Sequence, residues 1–150
     1  MIFTELNKAE DFFNILPDDW RNELKSTWDQ INLKSQIYCL IDDNKIVAGG
    51  IVLETCPTDL LSIKDKFHCY LQNNYLYIGY LWVIPNQRGK DLGTTWLSHV
   101  KTIQDQSRLW LTIEDKNLKS FYEKNGFKLV ESYQIQNKTE WLLVYDESET

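Results

Sequence analysis

The sequence predicts an α/β fold in which a mixed, mostly antiparallel sheet of about six or seven strands carries helices on both faces. Two observations support this prediction. The apolar segments Tyr75 to Val83 and Leu109 to Ile113 flank a helical segment, and such a unit places its strands parallel with a right-handed crossover. The turn residues Asp42-Asp43-Asn44 and Gln136-Asn137-Lys138 each join two strand-like segments, which predicts an antiparallel hairpin on either side of that unit.

Prolines and an amphipathic stripe define the elements before the central unit. Pro17 separates two helices because proline cannot continue a helix. In the second helix an apolar stripe at helical spacing predicts a core-facing side, made by Trp20, Leu24, Trp28 and Ile31. The predicted elements are a strand over residues 2–4, helices over 8–16 and 18–30, strands over 36–41 and 45–54, and a helix that starts at Pro57.

The second half of the chain continues this alternation of strands and helices. After the strand over residues 75–83, we predict helices over 92–106 and 118–125 and strands over 109–113, 127–134 and 139–145. Gly126 ends the last helix, as glycine commonly does at a helix C-terminus. With 150 residues and no linker or repeat, the chain is expected to form one domain.

The net charge of −6 narrows the classes of partner. It disfavours a nucleic-acid binder, whose affinity would depend on a basic face, and it is compatible with a cationic small molecule or peptide as substrate. Cys39, Cys56 and Cys69 show neither a metal-binding spacing nor a C-x-x-C motif, so no metal site is expected. Because the chain shows no signal peptide and no long apolar run, we expect a cytoplasmic protein without a membrane partner.

The most informative stretch runs from Leu81 to Gly93. An apolar strand leads into a short basic loop, and an amphipathic helix follows directly. Free N–H groups at a helix N-terminus and the helix dipole bind anions such as phosphate, so the loop predicts a pyrophosphate cradle. An ordinary basic turn that caps the helix is the alternative. The predicted cradle residues are Arg88, Gly89, Lys90, Gly93 and Thr94.

Two motifs in this order resemble those of the GNAT superfamily of acetyltransferases. The family's acyl-CoA-binding motif reads roughly (Q/R)-x-x-G-x-(G/A) and follows a strand that ends in Val-x-Pro. The matching residues here are Val83, Pro85, Arg88, Gly89, Leu92 and Gly93. Downstream, Asn117 to Phe127 resembles the family's helix-ending F-Y-E-x-x-G-F signature.

The resemblance implies the GNAT fold and an acetyl-CoA-dependent N-acetyltransferase, which moves an acetyl group directly to a primary amine of a small molecule or peptide. In that family the two parallel strands splay apart, and the pantetheine arm of CoA bonds to exposed backbone in the gap. Here that backbone would belong to Leu81, Trp82 and Val83. The tyrosine of the second motif would protonate the leaving CoA thiolate, and it corresponds to Tyr122. Asp115 falls where many relatives carry an asparagine that contacts the cofactor, and the nearby Asn117 is the alternative, although its register differs. The resemblance also places Phe121 and Lys124 at the adenine or phosphate end, and Asp91 lies in the loop itself.

Asp91 departs from the family pattern because relatives usually carry a glycine at this place. Its carboxylate has two expected effects. It would repel a pyrophosphate held by the same loop, or it would accept hydrogen bonds from the first helical turn as an N-cap. The first effect weakens CoA binding, whereas the second leaves it unchanged.

The proton acceptor for the amine is not evident in the motifs. Relatives often use a glutamate on the strand before the loop, whereas this strand offers Tyr77 and Tyr80, which would act through a water chain. Glu54 and His68 are further candidates at the acceptor end. A non-catalytic GNAT-fold module that holds CoA, or nothing, and acts through partners is the alternative function. A homodimer is also left open.

Overall fold

The computed structural model of the protein describes residues 1–149, and within them seven strands pair into one sheet. The strands are β1 (Ile2–Leu6), β2 (Ser35–Asp42), β3 (Lys45–Leu53), β4 (Leu76–Val83), β5 (Arg108–Ile113), β6 (Lys128–Ile135) and β7 (Lys138–Asp146). They lie in the order β1-β2-β3-β4-β5-β7-β6. β4 and β5 are parallel and the other neighbours are antiparallel, so the predicted mixed sheet is confirmed.

The two predicted hairpins are also confirmed, and their turns share one backbone feature. Asp43 and Asn44 have φ angles of 51° and 61°, and Gln136 and Asn137 have φ angles of 49° and 66°. Two-residue turns with positive φ match the twist of the strands that they join. These turns therefore set the register of β2 on β3 and of β6 on β7.

Five α-helices lie within residues 1–149: α1 (Ala9–Phe13), α2 (Asp18–Ile31), α3 (His68–Gln72), α4 (Leu92–Val100) and α5 (Lys119–Lys124). α1 is shorter than predicted, and the prediction that α4 continues to residue 106 is wrong. The Ile103 N–H donates to the Val100 carbonyl at 3.1 Å, which closes a turn after α4. The polar residues that follow offer no apolar face to bury. None of these helices is long and apolar enough to cross a membrane.

The helix predicted to start at Pro57 is instead a 3-10 segment, Thr58–Phe67, which leads into α3. Ile63 has a φ of −122° and interrupts the helical backbone. Leu60 and Phe67, on either side of this break, are both fully buried in one cluster with Trp110. Burial of both side chains against the sheet therefore determines the path of this segment.

Helices and the 3-10 segment cover both faces of the sheet. Alternate strand residues point to opposite faces, and β3 shows this directly. Val52 packs in a cluster with α4, whereas Ile51 packs in a cluster with α1 and α2. The apolar stripe of α2 faces that second cluster as predicted, with Leu24 and Ile31 buried and its two tryptophans partly buried.

The two parallel strands separate soon after they meet. β4 and β5 pair only through Leu76 with Leu109 and Tyr77 with Trp110. β4 then bulges, because Tyr80 adopts a left-handed conformation with a φ of 56° and the register on β3 shifts. A bulge bends the strand that carries it. The last residues of β4 therefore face a gap rather than β5.

Candidate active site

A cleft of about 950 Å³ occupies the gap between β4 and β5 and reaches both faces of the sheet. On one face it is bounded by the loop before α4, by α4 and by α5, and we call this the glycine-loop side. On the other face it is bounded by α2, by the 3-10 segment and by the ends of β5 and β7, and we call this the acidic side. The lining includes Leu81, Val83, Arg88, Gly89, Asp91, Gly93, Asp115, Phe121 and Tyr122 on or next to the first side, and Trp20, Glu23, Asp59, Tyr77, Tyr80, Trp82, Thr112, Glu114 and Glu140 on or next to the second.

The backbone of the glycine loop leaves several N–H groups free. The first hydrogen bond of α4 runs from the Thr95 N–H to the Asp91 carbonyl at 3.0 Å, so the preceding amides of the first turn have no helical partner. Gly89 has a φ of 82°, a conformation that side chains other than glycine rarely adopt. A Cβ at Gly93 would lie 2.9 Å from the ring of Phe121, so glycine there lets α4 and α5 pack closely.

Two basic side chains of the loop have different surroundings. The Arg88 Nε donates to the Val83 carbonyl at 3.0 Å, and the guanidinium lies 4.5 Å from the centre of the Trp82 ring. This arrangement fixes the Arg88 charge beside the end of β4. Lys90 is exposed, its Nζ donates to the Gln87 side chain at 2.9 Å, and it does not line the cleft within residues 1–149.

Asp91 is the residue before α4 and has a left-handed backbone with a φ of 57°. That conformation explains why a glycine suits this place, and aspartate is among the few other residues that tolerate it. The carboxylate makes no capping hydrogen bond to α4. It lies instead 3.5 Å from the Lys124 ammonium. The expected N-cap bond is therefore absent, because the side chain turns towards α5.

Tyr122 places a protonated phenol at the cleft. Its ring packs edge-on against Phe121 and Phe127, and only 8% of the residue is exposed. Burial raises the pKa of Tyr122 well above its ordinary value, so the group stays protonated at neutral pH. Its hydroxyl makes no hydrogen bond with another residue of the described chain, which leaves it free to donate to a guest in the cleft.

The remaining residues predicted around the glycine loop have structural partners. The Asp115 carboxylate accepts from the Asn117 N–H at 3.0 Å and caps the turn before α5. The Thr94 hydroxyl accepts from the Asn125 amide at 3.2 Å. Among described residues, Asp115 lines the cleft, whereas Asn117, Thr94 and Lys124 do not.

Two of the four residues predicted at the acceptor end lie in the cleft. Tyr77 packs edge-on against Trp110, and Tyr80 packs edge-on against Trp20. Burial raises the pKa of both phenols, so each is a neutral hydrogen-bonding group. Glu54 follows β3 and His68 begins α3, and both are exposed. Neither belongs to the part of the described chain that lines the cleft.

Four carboxylates line the acidic side that no motif of the sequence indicates. They are Glu23 on α2, Asp59 on the 3-10 segment, Glu114 after β5 and Glu140 on β7. Glu140 is only 5% exposed, whereas the other three keep exposed surface. One sequence signal could have identified Glu140. In the alternation of β7 it shares a face with Leu142, while Trp141 lies on the other face, so the pattern places a carboxylate on the core-facing side of an apolar strand.

Desolvation has the largest effect on the pKa values of Glu140, Glu23 and Asp59. Burial raises the pKa of Glu140 to about 7, repulsion from Glu114 and Asp59 adds to the rise, and a hydrogen bond from Thr112 opposes it. Burial and repulsion from Asp59 likewise raise the pKa of Glu23. Arg88, on the glycine-loop side, is the one basic residue in the cleft lining within residues 1–149. The acidic side therefore attracts cations.

A comparison of the sequence with protein families identifies this chain. The model of the Acetyltransferase (GNAT) family matches residues 6–127. The chain belongs to the GNAT acetyltransferase family. It is therefore an acyltransferase that uses an acyl-CoA, and the predicted resemblance is confirmed.

Solved structures share the fold of this GNAT protein at low sequence identity. An aminoglycoside 6'-N-acetyltransferase complexed with coenzyme A has a TM-score of 0.68 and 13% identity, with 98% of this chain and 97% of that chain covered. A spermidine N-acetyltransferase chimera from Vibrio cholerae and hSSAT has a TM-score of 0.66, 14% identity, and coverage of 99% and 98%. An acyl-CoA N-acyltransferase from Pseudomonas aeruginosa has a TM-score of 0.66, 15% identity, and coverage of 97% and 99%. No curated protein matches the chain in sequence.

The glycine-loop side of this GNAT protein fits an acyl-CoA. A pyrophosphate requires convergent N–H groups and an open approach, and a Cβ at Gly89 would meet no atom within 4 Å. An extended pantetheine arm requires an unpaired strand edge, which the bulged end of β4 provides beside the gap. The residues present therefore match the chemical groups of the cofactor.

Proposed function

We propose that the chain works as one catalytic domain that transfers the acetyl group of acetyl-CoA directly to a primary amine of a small, cationic molecule. The observation that carries this proposal is the continuous cleft through the sheet. It joins a free phenol and an unpaired strand edge on the glycine-loop side to carboxylates on the acidic side. A donor and an acceptor held on opposite faces would meet in the gap between β4 and β5.

The glycine-loop side would hold the donor through backbone groups. The free amides before Thr95, together with Arg88, would bind the pyrophosphate, and the end of β4 would bond to the pantetheine arm. A backbone N–H near Val83 would polarise the acyl carbonyl. Acetyl-CoA supplies the acetyl group as a thioester. These contacts position the reacting carbon beside the acidic side, which lowers the entropic part of the barrier.

Tyr122 would act as the general acid. As the amine nitrogen bonds to the acetyl carbon and the carbon–sulfur bond breaks, negative charge develops on sulfur. The Tyr122 hydroxyl would donate its proton to that sulfur and later regain one from solvent. Burial without a hydrogen-bond partner in the described chain supports this role, because a phenol already bonded elsewhere would be a poorer donor.

The acidic side supports a cationic acceptor. Its four carboxylates would lower the free energy of a bound ammonium, and the aromatic rings of Trp20 and Tyr80 would pack against the carbon chain between amines. Two structures that share the fold bear the names aminoglycoside and spermidine N-acetyltransferase, and both names denote substrates with several amines. This agreement supports the proposal independently of the charge.

We further propose that the partners of the reaction are an acyl-CoA and a small-molecule amine, and that nucleic acid takes no part, because the net charge of −6 disfavours a polyanion. Cys39, Cys56 and Cys69 are free thiols. Free thiols are typical of a reducing compartment, which supports the cytoplasm as the site of action.

Release of free thiol from acetyl-CoA in the presence of an amine tests this function. Three acceptors are compared: spermidine carries three positive charges, n-butylamine carries one, and 4-aminobutyrate carries one positive and one negative charge. We expect kcat/KM for spermidine to exceed that for n-butylamine by about tenfold or more, which corresponds to at least about 1.4 kcal/mol in total for the two added charges. Acetyl-CoA binding without thiol release for any amine would instead favour the non-catalytic module.

A further inference from the structure

We propose that Glu140 takes the proton of the acceptor amine, a role that rests on the proposed function. The strand register places this residue at the acidic side. On β7, Trp141 pairs with Ile113 of β5 and Leu142 pairs with Thr112. Glu140 therefore follows in register with Glu114, on the same face as Leu142 and Thr112. Tyr122 belongs to the cluster on the opposite face. A proton acceptor and a proton donor thus approach the gap from opposite sides of the sheet.

Burial without a counterion distinguishes Glu140 from the other carboxylates. Only 5% of the residue is exposed although it lines the cleft, and no ion pair within residues 1–149 includes it. Glu114 is exposed and lies 3.9 Å from the Lys138 ammonium. A buried carboxylate that faces a cleft and lacks a cation is suited to a guest that brings one.

The residues around Glu140 point to an ammonium guest rather than a metal ion. No three acidic, histidine or cysteine side chains of the described chain converge closely enough to hold a metal. An ammonium requires only hydrogen-bond acceptors, which can be spread along the cleft wall. Glu23 and Asp59 would bind a second amine of the same molecule, while Glu140 contacts the reacting one.

The titration of Glu140 suits a proton acceptor at neutral pH. The groups that face it are Thr112 from β5, Glu114 just after β5, Asp59 from the 3-10 segment and Tyr77 from β4. Tyr133 of β6 pairs with Glu140 in the sheet, but its hydroxyl donates a hydrogen bond to Glu131 at 3.0 Å rather than to Glu140. Burial, the largest effect, raises the pKa of Glu140 to about 7. A carboxylate with a pKa near the working pH is a stronger base than an ordinary glutamate and is still partly ionised.

The proton balance assigns each group one role. The bound ammonium gives one proton to Glu140 and becomes a neutral amine. Its nitrogen then bonds to the acetyl carbon, the carbon–sulfur bond breaks, and the sulfur takes the proton of Tyr122. The nitrogen releases its second proton, solvent reprotonates Tyr122, and Glu140 returns its proton to solvent. Each turnover thus forms one amide and one thiol and releases one proton.

The test compares Glu140→Gln with Glu131→Gln, an exposed glutamate on the neighbouring strand that does not line the cleft. Thiol release is followed with spermidine and, separately, with kanamycin. We expect Glu140→Gln to lower kcat by about 10²–10⁴-fold, the usual range for loss of a general base. The wild-type kcat/KM should rise with pH through an apparent pKa near 7, and this rise should disappear in the Gln variant. Glu131→Gln should behave as wild type.

Acetyl-CoA affinity separates a chemical role from a structural one. Calorimetry should give the same affinity in Glu140→Gln and wild type, because the glycine-loop side is unchanged. An unchanged kcat with the pH-dependent rise retained would overturn the proposal, and so would a parallel loss of acetyl-CoA binding. If Glu140→Gln does not fold, the wild-type pH profile decides, and absence of a rise near pH 7 contradicts the role. Absence of transfer by wild type would reject the proposed function itself, which is a distinguishable result.

Discussion

The two sides of the cleft are built in opposite ways. The glycine-loop side consists of residues that are close in sequence, and its binding groups are mostly backbone amides and one strand edge. The acidic side brings together side chains from α2, the 3-10 segment, β5 and β7, which are distant in sequence. A site that binds through backbone groups keeps its binding groups when side chains are substituted. A site that binds through side chains changes its chemistry with each substitution. The backbone site would suit an acyl-CoA donor that all members of the family share. The side-chain site would suit an acceptor that differs from one member to another.

The largest effect is expected from Tyr122, the proposed general acid on the glycine-loop side. Tyr122→Phe should lower kcat by about 10²–10⁴-fold and leave acetyl-CoA affinity within a few-fold, because the phenol matters only as the carbon–sulfur bond breaks. Steady-state thiol release and calorimetry measure the two quantities. Tyr38→Phe is the matched control, since its hydroxyl bonds Gln36 away from the cleft. An unchanged kcat in the Tyr122 variant would remove this residue from the mechanism.

The acidic side should also determine how stability depends on pH. The ordinary pKa of Glu140 is 4.5 and the folded value is about 7, so between these values the folded chain keeps a proton that the unfolded chain has lost. Stability of wild type therefore falls as pH rises through this range, by up to about 3 kcal/mol in total. Glu140→Gln lacks this penalty.

Urea unfolding at pH 8 and at pH 4.5 measures this difference. The free energy of unfolding of Glu140→Gln minus that of wild type should be larger at pH 8 than at pH 4.5, by up to about 3 kcal/mol. Glu131→Gln provides the exposed control and should show no such change. A constant difference between Glu140→Gln and wild type at both pH values would mean that Glu140 titrates normally.

Arg88 tests whether the glycine-loop side binds phosphate. Removal of one charge-assisted contact in Arg88→Ala should weaken CoA binding by about 1.5–3 kcal/mol. Calorimetry with CoA measures the loss, which should shrink at high salt because the contact is exposed. Lys90→Ala, an exposed residue outside the cleft lining, should have a smaller effect. Equal affinity of wild type and Arg88→Ala would contradict the cradle assignment.

The smallest effect is expected at Asp91. Its carboxylate is exposed and lies beside Lys124, which screens its repulsion of a phosphate. Asp91→Gly should therefore tighten CoA binding by only about 0.5 kcal/mol. Titrations with CoA at low and high salt measure this change in affinity. Asp43→Gly is the control for backbone effects, because Asp43 is also left-handed and lies in a distant turn. Weaker CoA binding by Asp91→Gly would show that the carboxylate supports the loop.

The contrast between the two sides also explains what the sequence could predict. The hairpins follow from local turn residues such as Asn44 and Asn137, and the glycine loop follows from a contiguous pattern that ends at Gly93. The acidic side depends on the register of β7 on β5 and on the kink at Ile63, which only the folded chain defines. The position of Glu140 in the cleft therefore does not follow from any local sequence pattern. The predicted end of α4 was wrong because tertiary packing, rather than helix propensity, ends that helix.

A crystal structure with CoA and spermidine tests most directly the claim that one cleft holds donor and acceptor on opposite faces. We predict that the pyrophosphate contacts the amides of residues 89–94 and that the CoA sulfur lies within hydrogen-bonding distance of the Tyr122 hydroxyl. One terminal amine of spermidine should contact Glu140 and the other should lie near Glu23 and Asp59. CoA bound outside the gap, or spermidine bound away from the four carboxylates, would contradict the account.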